Sequence, residues 1–403
     1  ILAERGAILS DDGSLMAVTL PFYRFAMDVT VLNERDYENL NDSIMSLCDH
    51  LADEFGREGE DAAHFYHMIR TAQQRKDRHI YLFPVKRRFT YQDYKKIRTF
   101  PILNRGTYEG GFIAEKVENK RFYPLGNLAR ITLGQLEDDT TALRGIEYAF
   151  NKYLRGRDGK MMVQRVSNNV EVPLHYYAQK EAQDGNQLIT TLNIDLQDIV
   201  DNALRKAVKK HEAKHATAIL MEVKTGEIKA MANYPEVFNF GVASQWEPGS
   251  PFKIASAIAA LETGIVSPGD SIFVGEEGRF NFYDRVMRDE MAWGKVTLEQ
   301  AISKSSNIAM ARMINEFYSR QPQEFIKALE RMGILESSGV QLKGEPKPYV
   351  IKPTHQLWNG TTLPWLAIGY NVRLTPLQIL SFYNGIANDG KLISPLLVKE
   401  IRR

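Results

Sequence analysis

Ser250 and Lys253 lie three residues apart in the stretch Trp246-Glu247-Pro248-Gly249-Ser250-Pro251-Phe252-Lys253. A serine beside a desolvated lysine is one way to make an acyl-transfer nucleophile without histidine. Pro251 has no N–H to lose and a φ already suited to a helix, so it fits the first helical position. That makes Ser250 the expected N-cap residue, with Gly249 leaving room for another backbone or a substrate. Positions i and i+3 share a helix face, so the Lys253 amine is expected to reach back to the Ser250 hydroxyl. The helix N-terminus adds positive potential where an oxyanion would form. Ser-x-x-Lys occurs only here in the sequence. Taken alone, the tetrapeptide also reads as an ordinary N-cap serine followed by a solvated lysine.

A second polar cluster, Ser303-Lys304-Ser305-Ser306-Asn307, follows in an amphipathic run that starts near Thr297. Ser305 and Asn307 would put a hydroxyl and an amide on one short turn that can meet the Ser250/Lys253 pair. Between the clusters, Ile254 to Leu261 is apolar nearly all round and ends at Gly264, as suits a buried central helix. Two tripeptides are decoys. Lys224-Thr225-Gly226 lies between the strand-like runs Ala218–Val223 and Glu227–Met231, so it reads as the turn of a β-hairpin. Ser167-x-Asn169 precedes Ser250 in a polar loop.

The elements that must position these groups fall into two parts. Up to about Gln183 the chain is mixed. A strand-like Met16 to Asp28 leads to charged helical segments at Tyr37 to Glu54 and Ala62 to Lys76, and then to a helix expected over Arg88 to Ile102, bounded by Pro101. The polar stretch Glu181 to Asn186 ends this module. Beyond Gln187 come a strand, a helix over Ile194 to Lys210, the hairpin and the Ser250 helix. A further helix-like run, Leu377 to Ala387, is followed by the turn Asn388-Asp389-Gly390. Strands and helices without strict βαβ alternation indicate an α+β fold. We place the boundary so that residues 1–185 form the N-terminal module and 186–403 the second domain.

The chain has 403 residues, enough to bury a large core, and a net charge of +1, which points neither to nucleic acid nor to an acidic surface. The basic runs Lys86-Arg87-Arg88 and Arg402-Arg403 read as solvated faces. The charged helix Ala62 to Lys76 is the best candidate for a partner surface, with a solvated face as the alternative. The single cysteine, Cys48, lies near Leu47 and Leu51 and reads as a buried structural thiol. No stretch of eighteen apolar residues is present to span a membrane. His64/His67 and His211/His215 have spacings that can share a helix face, but nothing near them in sequence completes a ligand set, so no metal site is expected. No phosphate-binding Gly-rich loop occurs. Trp246, Tyr283 and Trp365 are candidate groove walls, with core packing the expected role of at least one.

Ser-x-x-Lys, Ser-x-Asn and Lys-Thr-Gly together form the signature set of serine β-lactamases and penicillin-binding proteins. The chain resembles the class B penicillin-binding proteins from end to end. Arg5-Gly6-Ala7-Ile8 with Asp12-Gly13 and Leu15-Met16-Ala17 looks like the opening of their N-terminal module. Arg121-Phe122-Tyr123-Pro124-Leu125-Gly126 with Leu133-Gly134 looks like a second signature, and Gly145-Ile146-Glu147 with Leu154-Arg155-Gly156 and Gly159 like a third. Thr190-Thr191-Leu192-Asn193-Ile194-Asp195 with Gln197 resembles the start of the transpeptidase domain. Leu363-Pro364-Trp365, Gly369-Tyr370 and Leu374-Thr375-Pro376-Leu377-Gln378 resemble the division-associated branch. One departure stands out: no Lys-(Ser/Thr)-Gly follows Asn307. We expect that strand to lie beyond Arg403, leaving residues 186–403 a C-terminally incomplete transpeptidase domain. The alternative is a scaffold that has lost catalysis.

The resemblance implies an antiparallel sheet flanked by helices, carried on a mixed α/β pedestal of the dimerisation type. It implies a peptidoglycan D,D-transpeptidase that needs no metal or cofactor. Ser250 attacks a D-Ala-D-Ala stem peptide to form an acyl-enzyme, which an amine of a neighbouring stem resolves into a cross-link. Lys253, neutral through burial, accepts the Ser250 proton. Ser305 relays a proton to the leaving amine. Asn307 binds the substrate amide and helps hold Lys253, and the Ser250 N–H is one oxyanion donor. β-Lactams would acylate Ser250. The implied partners are stem peptides, a membrane-embedded glycan polymerase and division proteins, with no nucleic acid. The implied location is the periplasmic face of the cell membrane, with an anchoring helix upstream of Ile1. A β-lactamase or β-lactam sensor shares the nucleophile motif, but the N-terminal module argues against it.

Overall fold

The computed structural model describes residues 3–137, 141–160, 162–166, 170–173, 180–264 and 266–403, with the backbone alone at 163–166 and 170–173. The Ser167/Asn169 pair lies outside the described residues.

The N-terminal half is built on a long ladder. Strand β1 (Ile8–Leu9) pairs antiparallel with β2 (Leu15–Met27), which in turn pairs antiparallel with β3 (Ile80–Tyr81) and β4 (Phe112–Phe122). The β2–β4 register runs from Val18↔Phe122 to Met27↔Phe112. Helix α1 (Leu40–Phe55) starts where the Asn39 side chain accepts from the Asn41 and Asp42 N–H groups. It buries Leu40, Ile44, Leu47, Cys48, Leu51 and Phe55, a spacing that keeps one face on the core. That face packs with Phe65, Ile69 and Ala72 of α2 (Ala62–Arg75) over Phe25, Met27 and Phe112 of the ladder. Cys48 sits inside this cluster, and burial pushes its thiol up to about 12, so it is inert.

The helix expected over Arg88 to Ile102 is only α3 (Tyr91–Ile97). Thr90 and Asp93 form a capping box that sets its start. Phe89 is held in an antiparallel bridge to Tyr23, and Pro101 disfavours helical geometry in the residue before it.

Three distant sequence segments meet in a buried ion cluster. Glu147, fully buried, accepts from the Arg5 guanidinium at 2.7 Å and from Arg121 Nε at 2.7 Å, one carboxylate oxygen each. Arg5 also donates to Asn151 and to the Glu147 carbonyl, and Arg121 to the Gly6 carbonyl. The three stretches read as module signatures are therefore one structural unit that fastens the start of the chain to β4.

The second half begins at β5 (Gln187–Thr190), which pairs parallel with β1 and antiparallel with β10 (Val398–Arg402). One sheet thus runs β10-β5-β1-β2, joining both halves of the chain. Helix α4 (Ile194–His211), capped by Asn193, lies on the antiparallel hairpin of β6 (Ala216–Met221) and β7 (Ile228–Tyr234). Gln197 of α4 exchanges two hydrogen bonds with the Met231 backbone. Ala230 and Met231 point to opposite faces of β7 and both are buried, so both faces are covered. Lys224-Thr225-Gly226 is the expected turn, with Gly226 at φ +74° and Lys224 paired to Asp389 at the surface.

Helix α5 (Lys253–Glu262) runs through the main core with Ala255, Ala257, Ala259 and Ala260 buried. Around it stand α6 (Leu298–Ser303), α7 (Asn307–Tyr318) and α8 (Pro376–Ala387), together with the hairpin of β8 (Arg279–Phe282) and β9 (Arg285–Arg288). No helix among the described residues is long and apolar enough to cross a membrane.

Candidate active site

Gly249 holds φ +61° and ψ −140°, backbone space that essentially only glycine enters, and it occupies the cap position. Ser250 is therefore not the N-cap. It is the first residue of a 3₁₀ turn, Ser250–Phe252, with Pro251 inside that turn, and the turn runs directly into α5. The tight turn places the Lys253 N–H on the Ser250 carbonyl. The loop before it is strapped down: Gly249 N–H donates to the Gly369 carbonyl at 3.1 Å, and the backbones of Trp246 and Leu374 exchange hydrogen bonds. Tyr383 of α8 donates its hydroxyl to the Pro251 carbonyl at 2.7 Å.

Lys253 is 3% exposed. Its amine does not bond to Ser250 directly. It donates to the Ser305 carbonyl at 2.5 Å and to the Ser305 hydroxyl at 2.9 Å, and that hydroxyl lies 3.2 Å from Ser250 Oγ. The lysine and the serine of the first motif are thus joined through the second. Burial lowers the Lys253 titration to about 8, while the nearby Asp289 charge works in the opposite sense. About a tenth of Lys253 is then neutral at pH 7, so burial leaves it partly neutral and not, as the resemblance implies, wholly so.

Ser305 comes from the end of α6. Its φ is +53°, its N–H donates to the Ile302 carbonyl at 3.0 Å, and the Ser306 N–H donates to the Ala301 carbonyl at 2.8 Å. This is a Schellman ending with serine where glycine is usual. Ser306 then caps α7 by accepting from the Ala309 N–H. Asn307 begins that helix, and its side-chain amide donates to the Arg288 carbonyl at 3.1 Å; the expected hold of Asn307 on Lys253 is not made, since the Lys253 amine donates to Ser305 instead.

The aromatic candidates separate. Trp246 is about half exposed, four residues before Ser250. Tyr283 is 62% exposed at the tip of the β8–β9 hairpin, its ring against the Cα of Gly360. Trp365 is partly buried, edge-on to Phe282 at 6.4 Å, and belongs to the core. Of the two histidine pairs, His64 packs on Phe65 and His215 on Phe240. Helix α4 ends at His211, so His215 lies beyond it and the pair shares no helix face. No group of three or more possible ligands for a metal ion occurs among the described residues. Two participants carried no local signal in the sequence. Asp289 accepts from the start of α7, and Tyr383 braces Pro251 from a helix more than a hundred residues away.

A buried lysine joined to a serine through a second serine, on a helix at the centre of an α+β domain, is the arrangement expected of the β-lactamase and transpeptidase fold. Comparison with known families agrees: the penicillin-binding protein dimerisation domain matches residues 1–190, and the penicillin-binding protein transpeptidase domain matches residues 216–403. The chain belongs to the class B penicillin-binding proteins, which join these two domains. It is 30% identical over 298 residues to penicillin-binding protein PbpB of Mycobacterium tuberculosis, an alignment covering 70% of this chain and 43% of that protein. It is 25% identical over 297 residues to peptidoglycan D,D-transpeptidase FtsI of Escherichia coli, covering 70% and 49%. The chain spans about half the length of the curated relatives it matches. In fold it is similar to penicillin-binding protein 2X of Streptococcus thermophilus, with a TM-score of 0.77 at 20% identity, covering all of this chain and 61% of that one. It is also similar to penicillin-binding protein 3 of M. tuberculosis in complex with aztreonam, with a TM-score of 0.64 at 22% identity, covering 99% and 67%.

Proposed function

We propose that this chain carries the nucleophile half of a peptidoglycan D,D-transpeptidase site. The observation that supports it most is the hydrogen-bonded series Ser250–Ser305–Lys253, with the lysine buried. Ser250 Oγ attacks the carbonyl of the penultimate D-alanine of a stem peptide, its proton passing through Ser305 to Lys253. The tetrahedral oxyanion faces the Ser250 N–H, which donates to no carbonyl among the described residues. Collapse expels the terminal D-alanine, whose amine takes the proton back from Lys253 through Ser305, and leaves the acyl group on Ser250. The amine of a second stem then attacks that ester, giving up a proton by the same route, and the cross-link forms as Ser250 is regenerated. Asn307, at the rim of the turn, is the group for the substrate amide. A β-lactam carbonyl follows the first half of this path and stays on Ser250. Exposed Trp246 and Tyr283 are proposed groove residues.

We place the division between pedestal and transpeptidase domain at residues 185/186. The relatives named FtsI and PbpB favour a septal role at the outer face of the cell membrane, alongside a glycan polymerase and division proteins. The test is intact mass after incubation with benzylpenicillin, with Ser250→Ala in parallel and with the chain extended to the length of its curated relatives. A stable adduct of one penicillin, absent in the variant, establishes the site. An adduct on the extended form alone assigns the second oxyanion donor to residues beyond Arg403. No adduct on either leaves a division scaffold, and rapid loss of the adduct a β-lactamase.

A further inference from the structure

Asp289 belongs to neither motif, yet the second motif hangs from it. One carboxylate oxygen accepts from the Asn307 N–H at 2.6 Å and the Ile308 N–H at 3.1 Å, and the other from the Ser306 hydroxyl at 2.5 Å. Its own N–H donates to the Gly278 carbonyl at 3.0 Å, which fixes it from behind. The first turn of a helix has N–H groups with no intrahelical partner and a positive end, so a carboxylate there is doubly stabilising. The turn it holds contains Ser305 at φ +53°, a conformation that persists only when its surroundings over-determine it.

We propose that Asp289 is a positioning residue of the acyl-transfer site, fixing the Ser305–Asn307 turn through three hydrogen bonds and supplying the negative charge opposite Lys253. The inference rests on the acyl-transfer reading above. Besides burial, Asp289 is the charge that acts on Lys253. Ser250 and Ser305 present hydroxyls, Tyr383 presents its hydroxyl to the Pro251 carbonyl, and Lys304 turns its amine onto the Trp293 ring. Burial lowers the Lys253 titration, and the Asp289 charge acts against burial. A general base works best with its titration near the operating pH.

The test is Asp289→Asn. The remaining oxygen can keep both backbone donors and the new amide can donate to the Ser306 hydroxyl, so the hydrogen-bond count is preserved while the charge is removed. The readouts are the Lys253 midpoint, followed by NMR in protein labelled at the lysine ε-carbon and assigned by loss of the signal in Lys253→Met, and the pH profile of benzylpenicillin acylation. The midpoint is expected to fall by about half a unit or more, raising the neutral fraction at pH 7 about threefold. The acid limb of acylation should move down with it. Asp289→Glu keeps the charge with a longer reach, so it should acylate more slowly at every pH with its midpoint unmoved. An unmoved midpoint in Asp289→Asn, or a lowered one in Asp289→Glu, overturns the proposal. A midpoint that moves in a protein that penicillin acylates neither in this form nor in the extended one upholds the charge contact of Asp289 with Lys253 and overturns the transpeptidase reading instead.

Discussion

The Lys253 amine is bound twice by one residue, Ser305, through its carbonyl at 2.5 Å and its hydroxyl at 2.9 Å. An ammonium donates to both oxygens and forces the Ser305 hydroxyl to donate onward to Ser250. With the lysine protonated, Ser250 therefore cannot give up its proton along this route. Loss of a proton from Lys253 lets the series reverse, Ser250 donating to Ser305 and Ser305 to Lys253. On the proposed acyl-transfer route, the resting and reactive states differ by one proton and the direction of two hydroxyls.

Ser305 keeps a left-handed backbone at a position where glycine is the default, a strain on the order of 1 kcal/mol. Ser305→Gly is expected to be more stable than Ser305→Ala by about that amount, because only glycine relaxes there. Both should lose acylation on the order of 10²-fold or more. Thermal unfolding and penicillin acylation rates check the two halves separately. Equal stability of the two variants would show that the turn is not strained.

The lowered titration of Lys253 has a stability consequence with a definite sign. The folded protein releases this proton at about 8, whereas the unfolded chain holds it up to about 10.5. The unfolded state therefore binds more protons between those values, and stability rises with pH across that window. Lys253→Met removes the penalty. Its advantage over the natural protein should be largest below pH 8 and shrink by up to about 3 kcal/mol by pH 10.5. Urea unfolding at a series of pH values measures this; a difference that does not change with pH would contradict the depressed titration.

Gly369 and Gly249 are both required, for different reasons. A Cβ on Gly369 would lie 2.2 Å from the Gly249 carbonyl oxygen, whereas one on Gly249 would meet nothing within 4 Å. Gly249→Ala is opposed by its backbone angles alone. Gly369→Ala must push the Ser250 loop away and should slow acylation by on the order of 10²-fold. The smaller loss is expected in Gly249→Ala, and acylation kinetics decide the order.

Glu147→Gln leaves the Arg5 and Arg121 guanidiniums with no carboxylate between them in a buried cluster. Breaking a buried ion set from one side costs about 3–5 kcal/mol. The variant should become sensitive to proteolysis in residues 1–185, as followed by mass spectrometry of timed digests. A natural digestion pattern would mean that Asn151 and the backbone carbonyls suffice.

Much of this was legible wherever the signal was local. The helical segment read over Tyr37 to Glu54 became α1, the amphipathic run starting near Thr297 became α6 and the start of α7, and a Thr-Gly turn between two apolar runs gave the β6–β7 hairpin. The Ser250/Lys253 spacing also put those two residues on one turn. Local rules failed by one step at Ser250, where the backbone freedom of Gly249 moved the cap back a residue. They failed further at Arg88 to Ile102, where pairing of Phe89 with Tyr23 overrode helical propensity. What joins Lys253 to Ser305, or Asp289 to Asn307, depends on chain segments that spacing cannot bring together.

The sheet that crosses from one half to the other has a mechanical meaning. Strand β5 is flanked by β1, at the start of the chain, and by β10, nearly four hundred residues later. A force drawing pedestal and catalytic body apart along these strands loads their hydrogen bonds together in shear and cannot peel them one at a time. Such a joint resists sliding far better than opening, so a pull on the pedestal reaches the catalytic body with little give at the seam.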